Sequence, residues 1–123
     1  MPVLNVLIAD DEPNILLSLE FLMKKEGHRV FIARDGAEAQ DIIRRERPDL
    51  LLLDIMMPFM DGYELCQWVK ADPALQHARV VFLSAKSKEA DIQRGYGLGA
   101  DLYIPKPFST RDLITQINAM LAV

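Results

Sequence analysis

Asp54 follows the run Leu50-Leu51-Leu52-Leu53, and a carboxylate at the end of so apolar a segment is costly to bury unless something pairs with it. Asp10-Asp11-Glu12 closes a second apolar run, Val3 to Ala9, and Lys106 follows a third, Leu102 to Ile104. Two acidic segment ends and one basic end suggest a site for a divalent cation and a phosphoryl group. Three carboxylates brought close together repel, which makes ionising all of them expensive, and a hard cation removes that repulsion. Mg²⁺ suits the set better than Zn²⁺, because it takes oxygen ligands and no His or Cys lies near in sequence. His28 and His77 fall in turns at the opposite strand ends and read as plain surface residues.

The elements that must position these groups alternate along the chain. Val3–Ala9, Val30–Ala33, Leu50–Asp54, Val80–Ser84 and Leu102–Ile104 read as strands. Pro13–Glu26 carries Ile15, Leu16, Leu19, Leu22 and Met23 at helical spacing, and Gly27 stops it. Asp35-Gly36 opens a helix to about Arg45. Gly62–Ala71 is helical and ends at Asp72-Pro73. Lys88 to about Gly95 is a weak helix, and Ser109–Leu121 is the last. Five β units, each followed by an α unit, predict a doubly wound, five-stranded parallel sheet with helices on both faces. The flavodoxin-like order 2-1-3-4-5 puts the three most apolar strands at the centre and any ligand beyond the carboxyl ends of the strands. Asp10, Asp11, Asp54, Ser84 and Lys106 all fall there.

Size and composition narrow the classes. The 123 residues suit one domain, 1–123, around one core. Half are hydrophobic and the net charge is −4, which argues against a nucleic-acid surface. Cys66 is the sole cysteine, so no internal disulfide forms. Met1 to Ala9 is too short for a signal peptide, and no apolar stretch approaches the roughly 20 residues of a membrane span. A reducing, cytoplasmic setting is expected. A nucleotide or flavin binder would carry glycines after the first strand, where this chain has Asp10-Asp11-Glu12-Pro13.

Four motifs in order complete the pattern: Asp10-Asp11-Glu12, the stretch from Leu53 to Gly62 (Leu-Asp-Ile-Met-Met-Pro-Phe-Met-Asp-Gly), Leu83-Ser84-Ala85, and the stretch from Gly99 to Phe108 (Gly-Ala-Asp-Leu-Tyr-Ile-Pro-Lys-Pro-Phe). With them the chain resembles, over essentially its whole length, the receiver domain of two-component response regulators. The resemblance implies that Asp54 accepts a phosphoryl group from a histidine kinase or phosphotransfer protein. It implies Mg²⁺ on Asp11, Asp54 and the Met56 carbonyl, with Asp10 helping directly or through water. Lys106 then pairs with Asp54 before transfer and with a phosphoryl oxygen after it, while the Ser84 hydroxyl and the Ala85 N–H bond another. The family carries a cis peptide at Pro107. Its strand-five aromatic, here Tyr103, swings into space that Ser84 leaves, and the surface of helix 4, strand 5 and helix 5 shifts to meet an effector.

Three local features refine this. Gly95, Gly97 and Gly99 crowd the end of the fourth helix, which makes it marginal, although Gly97 and Gly99 also suit a turn. Leu102 stands where DNA-binding relatives carry a second acid, and Gln116 and Asn118 where they carry bases, so an ion-paired dimer on phosphorylation is put in doubt. Met56 and Lys86 sit where they influence the lifetime of the acyl phosphate. The expected role is signalling, with only weak self-catalysed phosphorylation and dephosphorylation. A phosphohydrolase would need a proton-transferring acid two residues after Asp54, where Met56 stands. The alternative is a pseudo-receiver that binds partners without being phosphorylated.

Overall fold

The strand runs that the sequence marks out pair edge to edge. In the computed structural model, which describes residues 3–122, the elements are β1 (Asn5–Ala9), α1 (Pro13–Lys25), β2 (Arg29–Ala33), α2 (Gly36–Glu46), β3 (Leu50–Asp54), α3 (Gly62–Ala71), β4 (Arg79–Ser84), α4 (Glu89–Gly97), β5 (Leu102–Pro105) and α5 (Thr110–Leu121). Met1, Pro2 and Val123 lie outside the described residues. All five strands are parallel and the order is β2-β1-β3-β4-β5, as expected.

Side chains along a strand alternate between faces, and the core divides accordingly. Leu7, Ala9, Leu51, Leu53, Val80 and Phe82 pack with α2 and α3 residues such as Ile43, Leu65 and Val69. Val6, Ile8, Leu50, Leu52, Val81 and Leu83 pack with α1 and α5 residues such as Leu19, Met23, Leu113 and Ile117. Each fully buried Leu or Ile contributes about 1.5–3 kcal/mol relative to an exposed one. β3 is buried throughout, Asp54 included, so this double-sided burial is what forces a carboxylate into the interior.

The punctuation residues behave as their chemistry requires. Gly27 has φ +91° just after α1, and Gly99 has φ +104° before β5. Asp61 begins α3 with a full capping box: its side chain accepts from the Glu64 N–H, and the Glu64 carboxylate accepts from the Asp61 N–H. Asp49 and Asp101 accept the N–H groups of Asn5 and Val80 at 2.9 and 2.8 Å, so two loop acids tie down the starts of β1 and β4.

Some expectations change. β1 begins at Asn5 rather than Val3, because the ladder starts at Asn5↔Arg29 and Val3 is exposed. α4 runs on to Gly97, two residues beyond Gly95. His28 is buried rather than a plain surface residue, and its Nδ1 accepts the Leu4 N–H at 3.2 Å. His77 is exposed. Among the described residues, no helix is long and apolar enough to cross a membrane.

Candidate functional site

Parallel register brings the chemistry together. Ala9 lies beside Leu53, Asp54 beside Leu83, and Ser84 beside Pro105, so the residues that end each strand meet at one edge of the sheet. The Lys106 N–H donates to the Ser84 carbonyl at 2.7 Å, which carries the lysine one step past β5 and toward the acids. The Lys106–Pro107 peptide is cis, as the resemblance implied. Asp11, Glu12, Asp54, Met56, Ser84, Ala85 and Lys106 line a cavity of about 210 Å³.

Asp10, Asp54 and Ser84 are buried, whereas Asp11 and Glu12 are exposed at the rim. Lys106 Nζ sits 2.9 Å from Asp10 Oδ2, 3.5 Å from Glu12 Oε1 and 3.7 Å from Asp54 Oδ1. The lysine's closest partner is therefore Asp10 and not Asp54, although it touches both. Asp10 is fully buried, and an unpaired charge there would be the costliest in the site. Asp10 Oδ1 also accepts the Glu12 N–H at 2.9 Å. The first helix is capped by neither Asp10 nor Asp11: Glu12 is the N-cap and no side chain bonds the first turn.

The electrostatics follow from burial. Asp54 is pushed up to about 6, first by desolvation and then by the charge of Asp10, with Lys106 pulling the other way. Asp10 is also raised, because burial outweighs its hydrogen bond to Lys106. Burial alone would lower Lys106, but the Asp10 hydrogen bond and the charges of Asp54, Asp10 and Glu12 raise it, so it stays an ammonium. Carboxylate oxygens of Asp10, Asp11 and Glu12 lie within 4.8 Å of one another. An acidic, all-oxygen donor set with no histidine or thiol in the cavity lining fits a hard divalent cation such as Mg²⁺. Glu12 belongs to this cluster although the sequence reading gave it no ligand role. Its place in the Asp-Asp-Glu run was the available signal.

Beyond the cavity, the Ser84 hydroxyl oxygen accepts the Lys86 N–H at 3.0 Å. Tyr103 is already inside, 5% exposed, and its hydroxyl donates to the Lys86 carbonyl at 2.7 Å. A wider cleft of about 520 Å³ opens alongside, lined by residues that include Asp11, Met56, Tyr63, Lys86 and Arg94. Tyr63 and Arg94 were not singled out from the sequence. Leu102 packs against the α1–α5 side of the core and Ile92 against the other, and the Asn118 side-chain amide donates to Glu26 at 3.3 Å. Those features serve packing within the chain.

Comparison with known proteins agrees with the geometry. The family model described as response regulator receiver domain matches residues 6–118. A signal receiver domain of a signal transduction histidine kinase from Syntrophus aciditrophicus is 34% identical, with a TM-score of 0.87 over 97% of this chain and 90% of that one. The chemotaxis response regulator CheY4 of Vibrio cholerae is 26% identical, with a TM-score of 0.91 over 98% of this chain and 100% of that one. A CheY-like response regulator receiver domain protein from Methanospirillum hungatei is 30% identical, with a TM-score of 0.88 over 96% and 93%. A five-stranded parallel sheet with acids, a hydroxyl and a lysine gathered at its carboxyl edge, matched by a family model over most of the sequence, has one conclusion: the chain belongs to the response regulator receiver domains of two-component signalling.

Proposed function

We propose that this chain is a phosphorylation-dependent switch that takes a phosphoryl group onto Asp54 from a phosphohistidine on a kinase or phosphotransfer protein. One Asp54 oxygen attacks phosphorus, the nitrogen–phosphorus bond breaks, the electron pair returns to the imidazole and an acyl phosphate forms. The observation that carries this reading is Asp54 itself. It is a buried carboxylate beside a cavity that is also lined by the Lys106 ammonium, the Ser84 hydroxyl and the exposed residue Ala85. With its protonation centred near 6, Asp54 is mostly ionised at neutral pH and free to attack.

Phosphoryl transfer needs positioning and charge neutralisation more than covalent help. Lys106 is close enough to follow charge from Asp54 to a phosphoryl oxygen, and Ser84 and Ala85 supply neutral donors. Asp10, Asp11, Asp54 and the Met56 carbonyl would hold Mg²⁺, with Glu12 at the rim; when bound, the ion supplies positive charge that offsets carboxylate and phosphoryl oxygens together. Water reaching the same cavity gives slow self-catalysed loss of the phosphoryl group. Met56 is exposed at the mouth and has no proton to give, which favours a lasting signal over rapid turnover. Tyr103 is tied to Lys86, so motion of Ser84 carries the strand-five aromatic with it and alters the α4–β5–α5 surface offered to an effector. No observation favours a partner-binding module that is never phosphorylated.

The test is incubation with acetyl phosphate and Mg²⁺, read by intact mass. The wild-type chain should gain one phosphoryl group, and Asp54→Asn should gain none. Incorporation that survives the substitution would remove Asp54 from the acceptor role.

A further inference from the structure

We propose that Tyr63 is a positioning residue whose hydroxyl, reaching from α3, latches the first turn of α4 and so sets how easily the β4–α4 segment rearranges. The part that concerns phosphorylation rests on the function proposed above.

Tyr63 is 2% exposed, and its hydroxyl donates to the main-chain carbonyl of Asp91 at 2.9 Å. A buried phenol must find an acceptor somewhere, and a bond within α3 would have meant nothing more. Here the acceptor belongs to the neighbouring helix, 28 positions along the chain. Burial pushes the Tyr63 hydroxyl up to about 12, so it remains a donor at ordinary pH.

The ring is held firmly. It meets Phe82 edge-on at 5.4 Å, Phe82 meets Tyr103 edge-on at 6.0 Å, and the Arg94 guanidinium lies 4.3 Å from the Tyr63 ring centre. Two tyrosine hydroxyls therefore pin the two ends of the segment from Lys86 to Asp91. Tyr103 on β5 holds the Lys86 carbonyl, and Tyr63 on α3 holds that of Asp91.

The pinned segment has little else to hold it. No side chain caps α4, and Gly95 is the one buried residue that α4 contributes. Ser87, Lys88, Glu89 and Ala90 are all exposed. At its other end the segment is joined to the acid site, because the Lys86 N–H donates to Ser84 Oγ. A phosphoryl oxygen that draws the Ser84 hydroxyl inward pulls on Lys86 and, through the segment, on Asp91. Tyr63 cannot follow, since its own helix is fixed in the core. The Tyr63–Asp91 bond therefore opposes the shift, and removing it makes the shift easier.

The deciding variant is Tyr63→Phe, which deletes the hydroxyl and keeps the ring, with Tyr63→Leu as the variant that deletes both. Amide hydrogen exchange of the ligand-free protein is read over peptides spanning residues 86–97. Beryllofluoride with Mg²⁺, a phosphoryl mimic, is titrated by calorimetry. Tyr63→Phe should speed exchange in 86–97 about threefold or more, leave the β1 and β3 peptides unchanged, and tighten beryllofluoride binding about three- to tenfold. Tyr63→Leu should share the tighter binding while melting at a lower temperature. If Tyr63→Phe matches wild type in exchange and affinity while only Tyr63→Leu departs, the ring alone matters and the proposal falls. Weaker beryllofluoride binding by Tyr63→Phe would also overturn it. If the wild-type chain binds no beryllofluoride, it is the phosphoryl-switch reading that fails; the exchange data then decide the latch alone, faster exchange in 86–97 sustaining it and unchanged exchange sinking it.

Discussion

Helices α3 and α4 are successive and nearly equal in length, 10 and 9 residues, yet they are built on opposite terms. α3 starts with a capping box and buries Gly62, Tyr63, Leu65, Cys66 and Val69. α4 has no side-chain cap and buries only Gly95. One helix is fixed to the sheet by its own apolar face. The other is held by a few scattered contacts: the Tyr63 hydroxyl on Asp91, the Phe82 and Tyr103 rings against Gly95, its own Tyr96 hydroxyl on the Tyr103 N–H, and a partly buried Ile92. Elements with few buried contacts open at lower free energy than the global unfolding cost, and they are the ones a binding event can remodel. The acid site lies between the two: Asp54 leads into α3 and Ser84 leads toward α4. A charge change at one cavity can therefore push against a fixed wall and move the other.

The largest expected effect breaks the fixed wall. A Cβ at Gly62 would stand 2.5 Å from the Asp54 carbonyl oxygen and 2.9 Å from Ile55 Cα, both backbone atoms that cannot step aside. Gly62→Ala should cost about 3 kcal/mol or more in urea unfolding and should impair phosphoryl uptake, because α3 and the end of β3 must separate. The comparison at Gly95 is softer. A Cβ there meets Tyr103 Cδ2 at 3.0 Å and Phe82 Cδ2 at 3.1 Å, which are side-chain atoms of the ladder. If Gly95→Ala cost as much as Gly62→Ala, the contrast between the helices would be wrong.

The next effect concerns the strain the site carries. Asp54 has a folded value near 6 against 3.8 when unfolded. Between those values the folded chain holds the proton more tightly, so stability falls as pH rises from about 4 to about 6. The loss is on the order of 3 kcal/mol and is fully present above neutrality. In metal-free buffer Asp54→Asn should therefore unfold at higher urea than wild type at pH 7.5, and the difference should vanish toward pH 4. Adding Mg²⁺ should narrow the gap by stabilising the wild-type chain more than the variant. Equal stability of the two at every pH would mean that Asp54 is not strained.

The same contrast explains what could be read without coordinates. The limits of β3 and α3 were legible to the residue, because Pro48-Asp49, Asp61-Gly62 and Asp72-Pro73 punctuate them. The strand order and the meeting of Asp10, Asp54, Ser84 and Lys106 were legible too, since acids and a base ending apolar runs in a parallel sheet have one edge to share. What stayed hidden depends on which distant atom a polar group finds. His28 looked like a turn residue until Leu4 supplied its N–H. Lys106 was expected first beside Asp54, but the more deeply buried Asp10 holds it closer. The glycine at 95 suggested a loose helix, and the sequence did not show that the aromatic ladder also crowds that position, with Tyr103 Cδ2 3.0 Å from where a Cβ would stand. Tyr63 read as one more residue at a helix start, because nothing local announces that its hydroxyl crosses to α4.

The smallest expected effects test the caps, where the two helices differ most cleanly. Asp61→Ala deletes a capping box and should cost about 1 kcal/mol, spread over the whole molecule because α3 unfolds only with the core. At the matching position of α4 stands Lys88, whose side chain caps nothing and whose positive charge sits at the wrong end of the helix dipole. Lys88→Ser offers a side-chain oxygen to the N–H groups of the first turn and removes that charge. It should change global unfolding by less than about 1 kcal/mol while slowing amide exchange within α4 about threefold, a local gain that the α3 cap would never display. The same substitution should make the α4 surface harder to remodel, so beryllofluoride binding should weaken slightly, opposite in sign to Tyr63→Phe. Two small changes on the same segment, one adding a bond and one removing a bond, then move one equilibrium in opposite directions. That would be difficult to explain if α4 were as firmly seated as α3.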